Sequence, residues 1–359
     1  MLSKLFWTLT SLFIIILILG FITIFFDLLN SNFNKTENAV SYKAKEVKKH
    51  VFNDKKLKVM TWNIKFAAAR IDMFFDCHGD REVVTKNEVI TNLKNISKKI
   101  KEINPDVLFL QEVDIKSHRT SNVDQAQFIL DNTELNYGYY ASQWKSWYIP
   151  SNNIKHINTG NLILSKYPMK NAKRYSLPLI KSQNLVVQYF YLKRNFLVAD
   201  IELNNNKIKL LNTHLSAFAS DETKTRQVNQ IEDFTNNLNQ NKEKFILGGD
   251  FNLIPPQSKK VKDFPDSICK GGKFEANDFS KEIEWLSPLY NNFKSAINLG
   301  DYQDNNEKYF THTTDKKGFW TRKLDYIFSN GKLRNGETLQ KNTMSLSDHA
   351  PIIVEYILD

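Results

Sequence analysis

The stretch FILGGDFN, residues 245–252, places a carboxylate and a carboxamide directly after an apolar run. The run is typical of a buried strand, and its two glycines let the backbone turn or pass close to a bound group. In an extended chain Asp250 and Asn252, two positions apart, point to the same side. Asp250 can then accept a proton while Asn252 donates a hydrogen bond to an anionic oxygen. Because Gly, Asp and Asn are also ordinary turn residues, this stretch alone permits a strand that ends in a polar turn.

Polar residues follow several other predicted strands in the same way. They are Trp62-Asn63, Gln111-Glu112, NTH at 212–214, LDYIF at 324–328 and SDHAP at 347–351. In this order and spacing, and together with GDFN, they resemble the endonuclease/exonuclease/phosphatase superfamily, which has the deoxyribonuclease-I-like fold. NLILSKYP at 161–168 resembles the internal strand and turn of the same family. The resemblance covers residues 57–359.

This resemblance implies an α/β fold in which a two-sheet β-sandwich is flanked by helices and carries its site at one end. It also implies hydrolysis of a phosphate ester with a divalent metal, Mg²⁺ or alternatively Mn²⁺. In the family the equivalent of Glu112 is the principal metal ligand, and the equivalent of Asp348 lies close to the metal. Asn63 can add a carbonyl oxygen, which suits Mg²⁺ because this ion prefers oxygen ligands and often binds only one or two carboxylates.

Hydrolysis requires a water that is activated for in-line attack. Asp250 can orient and deprotonate that water, and Asn252 can donate to a phosphate oxygen. His214 and His349 can donate to the non-bridging oxygens or to the leaving group as charge accumulates. The resemblance implies that Asp325 pairs with His349, which would favour the protonated imidazole. The residue types alone do not decide which group is the general base, and we assign that role to Asp250.

Residues 5–26 contain no charged residue, and a helix of this length can cross a bilayer core. The run exceeds the apolar region of a cleaved signal peptide, and no clear A-x-A cleavage pattern follows it. We therefore expect a transmembrane anchor over residues 1–30 and a single-pass membrane protein that contacts the membrane through residues 5–26. Lysines lie on both sides of this run, so the sequence leaves open which side of the membrane carries the catalytic domain.

Residues 31–56 are polar and rich in lysine, and they are predicted to tether the anchor to a catalytic domain at 57–359. Residues 35–58 contain eight lysines and three acidic residues, a net charge of +5, which is half of the formal net charge of +10 of the whole chain. The remainder is only mildly basic, which weakens the case for nucleic-acid binding from charge alone. The lysines of the tether can rest on anionic headgroups or belong to a solvated spacer.

Strands and helices are predicted to alternate through the domain, as in α/β proteins. Strands are predicted at 57–62, 106–110, 160–165, 196–203, 207–212, about 323–328 and about 351–357. Helices are predicted after Thr85, at 121–132, at about 222–238 and near 281–292. Thr85 and Glu88 fit a capping box for the first of these helices. Residues 143–148 (QWKSWY) are predicted to form an aromatic-rich loop that stacks a base, sits at a bilayer interface or packs against the sandwich.

The motifs narrow the substrate without identifying it. The stretch NTHLSAF lacks the tyrosine and YxPN-like pattern of base-excision endonucleases, and GDFN differs from the GDLNYR of inositol polyphosphate phosphatases. GDFN, NTHL, SKYP and SDHAP resemble both neutral sphingomyelinase-like phospholipid hydrolases and secreted or membrane-bound nucleases. We predict a membrane-anchored, metal-dependent phosphodiesterase that acts on a phospholipid headgroup or a nucleic acid, with a nuclease for DNA or RNA as the alternative.

An alternative of another class is a membrane-tethered binding module without activity. Such a relative would be expected to lose at least one of Glu112, Asp250 and His349, and the chain retains all three. The sequence indicates no protein partner and leaves the oligomeric state open. Cys77 and Cys269 can form one disulfide or remain thiols.

Overall fold

The structure is a computed structural model that describes residues 2–31, 33–52, 54–76, 79–149, 153–217, 219, 221–264, 278–314 and 320–358. In the first helix it describes the side chains of residues 4–25 only. Cys77 and Cys269, for which we considered a disulfide or free thiols, lie outside the described residues.

The described residues form seven α-helices, fourteen strands and several short 3₁₀ turns. The helices are α1 (Leu2–Ser31), α2 (Lys86–Ile103), α3 (Gln125–Asp131), α4 (Leu185–Phe190), α5 (Thr223–Gln240), α6 (Ser287–Asn292) and α7 (Leu299–Asp304). The strands are β1 (Thr36–Asn38), β2 (Val40–Lys43), β3 (Lys56–Asn63), β4 (Val107–Asp114), β5 (Tyr137–Ile149), β6 (Lys155–Ser165), β7 (Met169–Ser176), β8 (Asn195–Leu203), β9 (Asn206–His214), β10 (Lys244–Asp250), β11 (Lys294–Ser295), β12 (Asp325–Ser329), β13 (Lys332–Thr338) and β14 (Ile352–Ile357).

The strands form two mixed sheets of seven strands each. One sheet has the order β1-β7-β8-β9-β10-β12-β11, and the other has the order β13-β14-β3-β4-β6-β5-β2. Each sheet contains one parallel pair near its centre, β9 with β10 and β3 with β4. A parallel pair needs a crossover connection, and the amphipathic helices α5 and α2 provide these two crossovers.

Successive side chains of the central strands point to opposite faces of each sheet, so the apolar residues form three layers. One layer lies between the sheets, and one lies between each sheet and its helices. In β3, Val59 faces the core between the sheets, whereas Met60 and Trp62 face the helices. Helices α2 and α3 cover the outer face of the β3–β4 sheet, and α5 and α6 cover the outer face of the β9–β10 sheet. The predicted fold class, a two-sheet sandwich flanked by helices, is therefore confirmed.

The same alternation carries a set of polar side chains into the space between the sheets at one end. In β3, β4, β9, β10 and β12 every second side chain faces the other sheet. Most of these inward-facing side chains are apolar, but those at one end of each strand are polar. These polar positions are Asn63, Gln111, Asn212, His214, Asp250 and Asp325, all at most 2% exposed. The strand ends thus turn one end of an apolar sandwich into a buried polar cluster.

Part of the segment that we predicted as a tether lies in the two sheets. Thr36–Asn38 pairs with β7 at the edge of one sheet, and Val40–Lys43 pairs with β5 at the edge of the other. Edge strands commonly carry charged residues, because these discourage pairing with other chains. A polar, lysine-rich edge strand therefore resembles a linker in sequence, which explains the difference from the prediction.

Residues 143–148, predicted as an aromatic-rich loop, belong to strand β5, which pairs with β6 through two register shifts. The helix predicted near 281–292 is shorter, because turns occupy the residues before α6. At the other end of the chain, Lys4–Phe25 of α1 is long and apolar enough to cross a membrane.

Candidate active site

Two glycines place Asp250 at the end of β10. Gly249 has a φ of 146°, and a Cβ atom there would lie 2.0 Å from the carbonyl oxygen of Thr213 in the neighbouring strand. A Cβ atom at Gly248 would lie 2.4 Å from the ring of Phe109 in the opposite sheet. Both positions therefore need glycine for close packing of the scaffold. The prediction had considered a close approach to a bound group instead.

The carboxylate of Asp250 lies among three nitrogen-bearing side chains from three different strands or loops. Asn63 Nδ2 donates to Asp250 Oδ2 at 3.0 Å. The Nε2 atoms of His214 and His349 lie 3.4 and 3.6 Å from the same oxygen. Residues that are far apart in sequence thus converge on one carboxylate oxygen.

Asn252 does not continue the strand as the sequence pattern suggested. Its φ of 50° is left-handed, and its backbone N–H donates to Asp250 Oδ1 at 2.9 Å, so the chain turns directly after the carboxylate. Asn and Asp readily form such turns. The Asn252 side chain donates to the carbonyl oxygen of Leu215 at 3.1 Å and remains partly accessible beside the cluster.

Burial shifts the pKa values of Asp250 and His214 in opposite directions, because it favours the neutral form of both groups. Burial, opposed by His349 and reinforced by Asp325, raises the pKa of Asp250 to about 7. Burial and the nearby guanidinium of Arg194 hold the pKa of His214 well below its usual value. His214 is therefore a neutral imidazole near pH 7, which still has one N–H group to donate.

His349 and Asp325 form a hydrogen-bonded pair. The Nδ1 atom of His349 lies 2.7 Å from Asp325 Oδ2, and Asp325 is fully buried. Burial opposes a charge on the imidazole, but Asp325 and Asp250 outweigh it and raise the pKa of His349 to about 10. The ring of His312 lies against that of His349, with 4.6 Å between the centroids. His349 is accordingly a fixed cation that points its Nε2 toward Asp250.

Glu112 reaches the site through a β-bulge. The register between β4 and β6 shifts between Leu110 and Val113, and Glu112 has a left-handed φ of 56°. Bulges re-aim side chains, and strained backbone often occurs at functional sites. Asn63 Nδ2 donates to Glu112 Oε1 at 3.1 Å, so Asn63 bridges Glu112 and Asp250. Desolvation and the charge of Asp348 raise the pKa of Glu112.

Asp348 is held by a lysine that no sequence motif indicated. Lys65 Nζ lies 2.8 Å from Asp76 Oδ2 and 3.5 Å from Asp348 Oδ2, and Ser347 Oγ lies 3.2 Å from Asp348 Oδ1. Burial opposes the charge on Asp348, but Lys65 and His349 lower its pKa, so it is ionised. Lys65 therefore positions one of the predicted metal ligands.

Sequence reasoning also missed the side chains below and beside the site. Gln111 Nε2 donates to Asn212 Oδ1 at 2.7 Å, a bond that joins the two sheets under the cluster. Buried Arg194 donates to Gln143 Oε1 at 3.1 Å, and the amide nitrogen of Gln143 lies 3.5 Å from His214 Nδ1. Gln111 and Asn212 belonged to recognised motifs, but no role was assigned to them. No local pattern in the sequence singles out Arg194 or Gln143, because their partners are distant in the chain.

A profile of the Endonuclease/Exonuclease/phosphatase family matches residues 60–349, most of the chain. The chain belongs to the endonuclease/exonuclease/phosphatase family. This family is hydrolytic, which agrees with a cluster of buried acid–base groups at the end of a sandwich. No curated protein matches the chain significantly.

Solved structures share the fold at low sequence identity. An endonuclease/exonuclease/phosphatase from Beutenbergia cavernae is 16% identical with a TM-score of 0.56, covering 85% of this chain and 72% of that chain. The human Nocturnin catalytic domain, solved with a bound sulfate anion, is 17% identical with a TM-score of 0.55, covering 89% of this chain and 98% of that chain. A family protein from Leptotrichia buccalis is 16% identical with a TM-score of 0.53, covering 83% and 98%.

Enzymes of this family typically use divalent metals, and the buried acidic groups here can bind one. Asp250, Asp325 and His349 bring possible ligand atoms within 4.8 Å of one another. Asp325 and His349 already form a hydrogen bond with each other, however. Glu112 and Asp348 are instead partly accessible carboxylates, and the charge of Asp348 raises the pKa of Glu112. A divalent cation between Glu112 and Asp348 would offset that repulsion, so the donor set fits a hard metal ion.

Proposed function

We propose that this protein is a membrane-anchored, divalent-metal-dependent phosphodiesterase. The observation that carries the proposal is the placement of Asp250, a buried carboxylate with a pKa of about 7, between a neutral and a charged histidine. A base is most effective when its pKa lies near the working pH. The anchor is the apolar helix α1, whose span of Lys4–Phe25 suits a bilayer core.

In this proposal Asp250 orients a water for in-line attack and takes its proton. His349, held as a cation by Asp325, donates through Nε2 to a non-bridging phosphate oxygen. His214 donates the N–H of a neutral ring to a second oxygen or to the leaving group. Asn252, on the turn after Asp250, donates to the phosphate from the accessible rim of the site.

Glu112 and Asp348 would hold the metal, with Asn63 as a further ligand. When bound, the metal supplies a Lewis acid for a phosphate oxygen and stabilises the charge that develops there. In the present arrangement Asn63 turns its NH₂ group toward Glu112 and Asp250, and its Oδ1 accepts from the backbone N–H of Lys65 at 3.0 Å. Ligation through Oδ1 therefore requires the Asn63 amide to turn over. Mg²⁺, with Mn²⁺ as a substitute, fits this oxygen-rich set.

The substrate is a phosphate ester, and we retain two classes, a phospholipid headgroup and a nucleic acid. The full chain in detergent micelles is assayed with Mg²⁺ or Mn²⁺ against DNA, RNA, sphingomyelin and phosphatidylinositol phosphates. Turnover of one substrate class, lost in Asp250→Asn and in chelator, supports the proposal. The matched control is Asp233→Asn on the exposed face of α5, which leaves turnover unchanged.

Two results would contradict the proposal. Asp250→Asn with full turnover would remove Asp250 from catalysis. A folded chain that binds one of these substrates but turns over none of them would favour the alternative of an inactive membrane-tethered module.

A further inference from the structure

Helix α4 is a short apolar helix that lies on the surface. Leu185, Val186 and Val187 are 83%, 69% and 42% exposed. The side chain of Asn184 caps the helix by accepting from the N–H of Val187, so this exposed segment is ordered. Soluble monomers seldom expose contiguous apolar surface without a function. We therefore expect this helix to contact an apolar surface outside the described part of the chain.

The end of strand β5 adjoins α4 and adds aromatic side chains to it. Trp144 Nε1 donates to the carbonyl oxygen of Phe190, the last residue of α4, at 2.9 Å. Further along β5, Trp147 and Tyr148 are 55% and 53% exposed. Trp and Tyr are enriched at membrane–water interfaces, because each combines an apolar ring with a polar group. We call Trp147, Tyr148, Leu185, Val186 and Val187 the interfacial face.

The two chain segments that carry the interfacial face are basic, although Asp221 from another segment accepts from the backbone N–H of Ser182 before α4. Residues 143–158 and 177–194 contain no Asp or Glu. They contain Lys145, Lys155 and Lys181, all exposed. Lysines beside an anionic leaflet are attracted to its headgroups. Apolar and aromatic residues rimmed by lysines match the composition of elements that lie in the headgroup region of a bilayer.

The interfacial face also adjoins the carboxyl-terminal end of the apolar span. Tyr189 Oη, in α4, donates to the carbonyl oxygen of Ile24 at 3.4 Å. Cα atoms of α1 and β5 approach within 8 Å. Ile24 lies at the end of the Lys4–Phe25 span, where a transmembrane helix leaves the hydrocarbon core. The surface beside that point faces the headgroups of the same bilayer.

The segment after α4 connects the interfacial face to the active site. The backbone N–H of Lys193 donates to the carbonyl oxygen of Gln143 at 2.6 Å, and Arg194 donates to the Gln143 side chain. The Gln143 amide in turn lies beside His214. A membrane contact at α4 would therefore fix the position of the site rim relative to the bilayer.

We propose that the interfacial face inserts into the headgroup and upper acyl region of the bilayer that α1 spans, and that this second contact holds the catalytic site at the membrane surface. The inference rests on the proposed anchoring by α1 and is independent of the catalytic roles of individual residues. An insertion depth of about 5–10 Å is typical of such elements.

The test is spin labelling of the full chain in vesicles of phosphatidylcholine and phosphatidylserine. In a Cys77→Ser, Cys269→Ser background, nitroxides are attached at Leu185→Cys, Val186→Cys, Ile14→Cys and Val51→Cys. Collision with oxygen reports lipid, and collision with a water-soluble nickel chelate reports water. Val51, 65% exposed, is the matched control, because its neighbour Phe52 packs on Tyr167 at the end of the sandwich opposite the site.

The readout is the ratio of collisions with oxygen to collisions with the nickel chelate. We expect a high ratio at Ile14, a low ratio at Val51, and an intermediate ratio at Leu185 and Val186. If Leu185 and Val186 show the same ratio as Val51 while Ile14 is in lipid, the proposed insertion of the interfacial face is refuted and the proposed anchor is not. An aqueous ratio at Ile14 would overturn the anchor itself. Quenching by brominated lipids, compared between the unaltered chain and Trp147→Phe, tests the same contact without cysteine replacement. Equal quenching of both would count against the proposal.

Discussion

Asp250 shows how position within the sandwich sets the chemistry of a residue. At a strand end in water its carboxyl would be ionised and weakly basic at neutral pH. Between the sheets it is 1% exposed, and burial raises its pKa to about 7. The neighbouring His214 shifts the other way, because burial disfavours the charged imidazole. The two residues thereby become suited to accepting a proton and to donating a neutral hydrogen bond.

The pairing of His349 with Asp325 predicts non-additive losses. His349→Ala should lower turnover by about 10²–10³-fold, through loss of one donor to the developing charge. Asp325→Asn should cost less, because the imidazole remains but its proton is held more weakly. The double variant should be little worse than His349→Ala, since members of one catalytic unit are not additive. The measurement is a double-mutant cycle on turnover, with folding checked by circular dichroism.

Fully additive losses in that cycle would show that Asp325 acts separately from His349. Lys323→Met is not a suitable control, because its amino group donates to the backbone of Asp325. Asp301→Asn, at an exposed position of α7, provides a control for a change of acidic side chain.

The position of Glu112 predicts a metal-binding defect without unfolding. Glu112→Gln removes one of the two carboxylates that we assign to the metal, so the Mg²⁺ concentration for half-maximal activity should rise. Chelator should abolish turnover of the unaltered chain while its circular dichroism stays the same, because the core between the sheets does not depend on the site. Manganese binding, followed by electron paramagnetic resonance, provides a readout that is independent of activity. Glu102→Gln, at an exposed position of α2, is the control. Full turnover in chelator would refute metal dependence.

At the scale of elements, α2 is the crossover that places β3 parallel to β4, so its start contributes to the geometry of Asn63 and Glu112. Thr85 accepts from the N–H of Glu88, and Glu88 accepts from the N–H of Thr85, which completes the predicted capping box. Arg81 donates to the Glu88 carboxylate at 2.8 Å. The apolar face of the helix then packs on the outer side of the β3–β4 sheet.

Thr85→Ala should lower the free energy of unfolding by about 1 kcal/mol, because the backbone N–H of Glu88 loses its side-chain acceptor. The matched control is Thr91→Ala on the exposed face of the same helix, which should be neutral or slightly stabilising. The measurement is the urea midpoint of the detergent-solubilised chain. Equal midpoints for the two variants would show that the box contributes no stability.

Glu88 also predicts how stability depends on pH. Bonds from Arg81 first, and from Thr85, lower the pKa of Glu88 to about 2 in the folded chain. An unfolded glutamate titrates near pH 4.3, so the contribution of Glu88 is complete above about that pH and is lost as the pH falls toward 2. Glu88→Gln should therefore lose less stability than the unaltered chain between pH 5 and pH 3, as measured by urea midpoints. Parallel pH profiles of the two proteins would contradict the assignment.

At the scale of the whole molecule, the apolar helix α1 and the sandwich are joined by residues that belong to both sheets. β1 and β2 follow α1 closely and pair with β7 and β5. Helix α1 ends at Ser31 and β1 begins at Thr36, so the connection between this helix and the sandwich is short. If α1 spans a bilayer as proposed, we expect this short connection to keep the sandwich close to the membrane surface.

The proposed anchor predicts that the full chain stays in membranes through high-salt and carbonate washes. Attraction by the lysines alone would be screened by salt, whereas burial of the apolar span would not. Leu17→Arg with Ile18→Arg should shift the chain toward the soluble fraction, since each arginine at a span centre costs about 2.5–3.5 kcal/mol on insertion. Lys45→Gln, outside the span, is the control. Release of the unaltered chain by carbonate would refute the anchor.

The sequence by itself determined the fold class, the apolar span, the capping box and the set of strand-end motifs. These follow from local periodicity and from the types and order of residues, which need no knowledge of distant contacts. It also indicated correctly that Asp325 and His349 form a pair, through a family resemblance. The sequence failed at the edge strands β1 and β2 and at the end of β5, because edges and exposed strand ends lack the alternation that reveals a buried face.

Only the tertiary structure decided which side chains meet. Register and inward alternation in two sheets bring Asn63, Glu112 and Asp250 together, and a bulge rather than regular strand geometry aims Glu112. The partner of Asp348, Lys65, and the opposite pKa shifts of Asp250 and His214 arise from burial and long-range packing. Local sequence carries no record of such neighbours, because electrostatic and packing energies depend on distances that the folded chain alone sets.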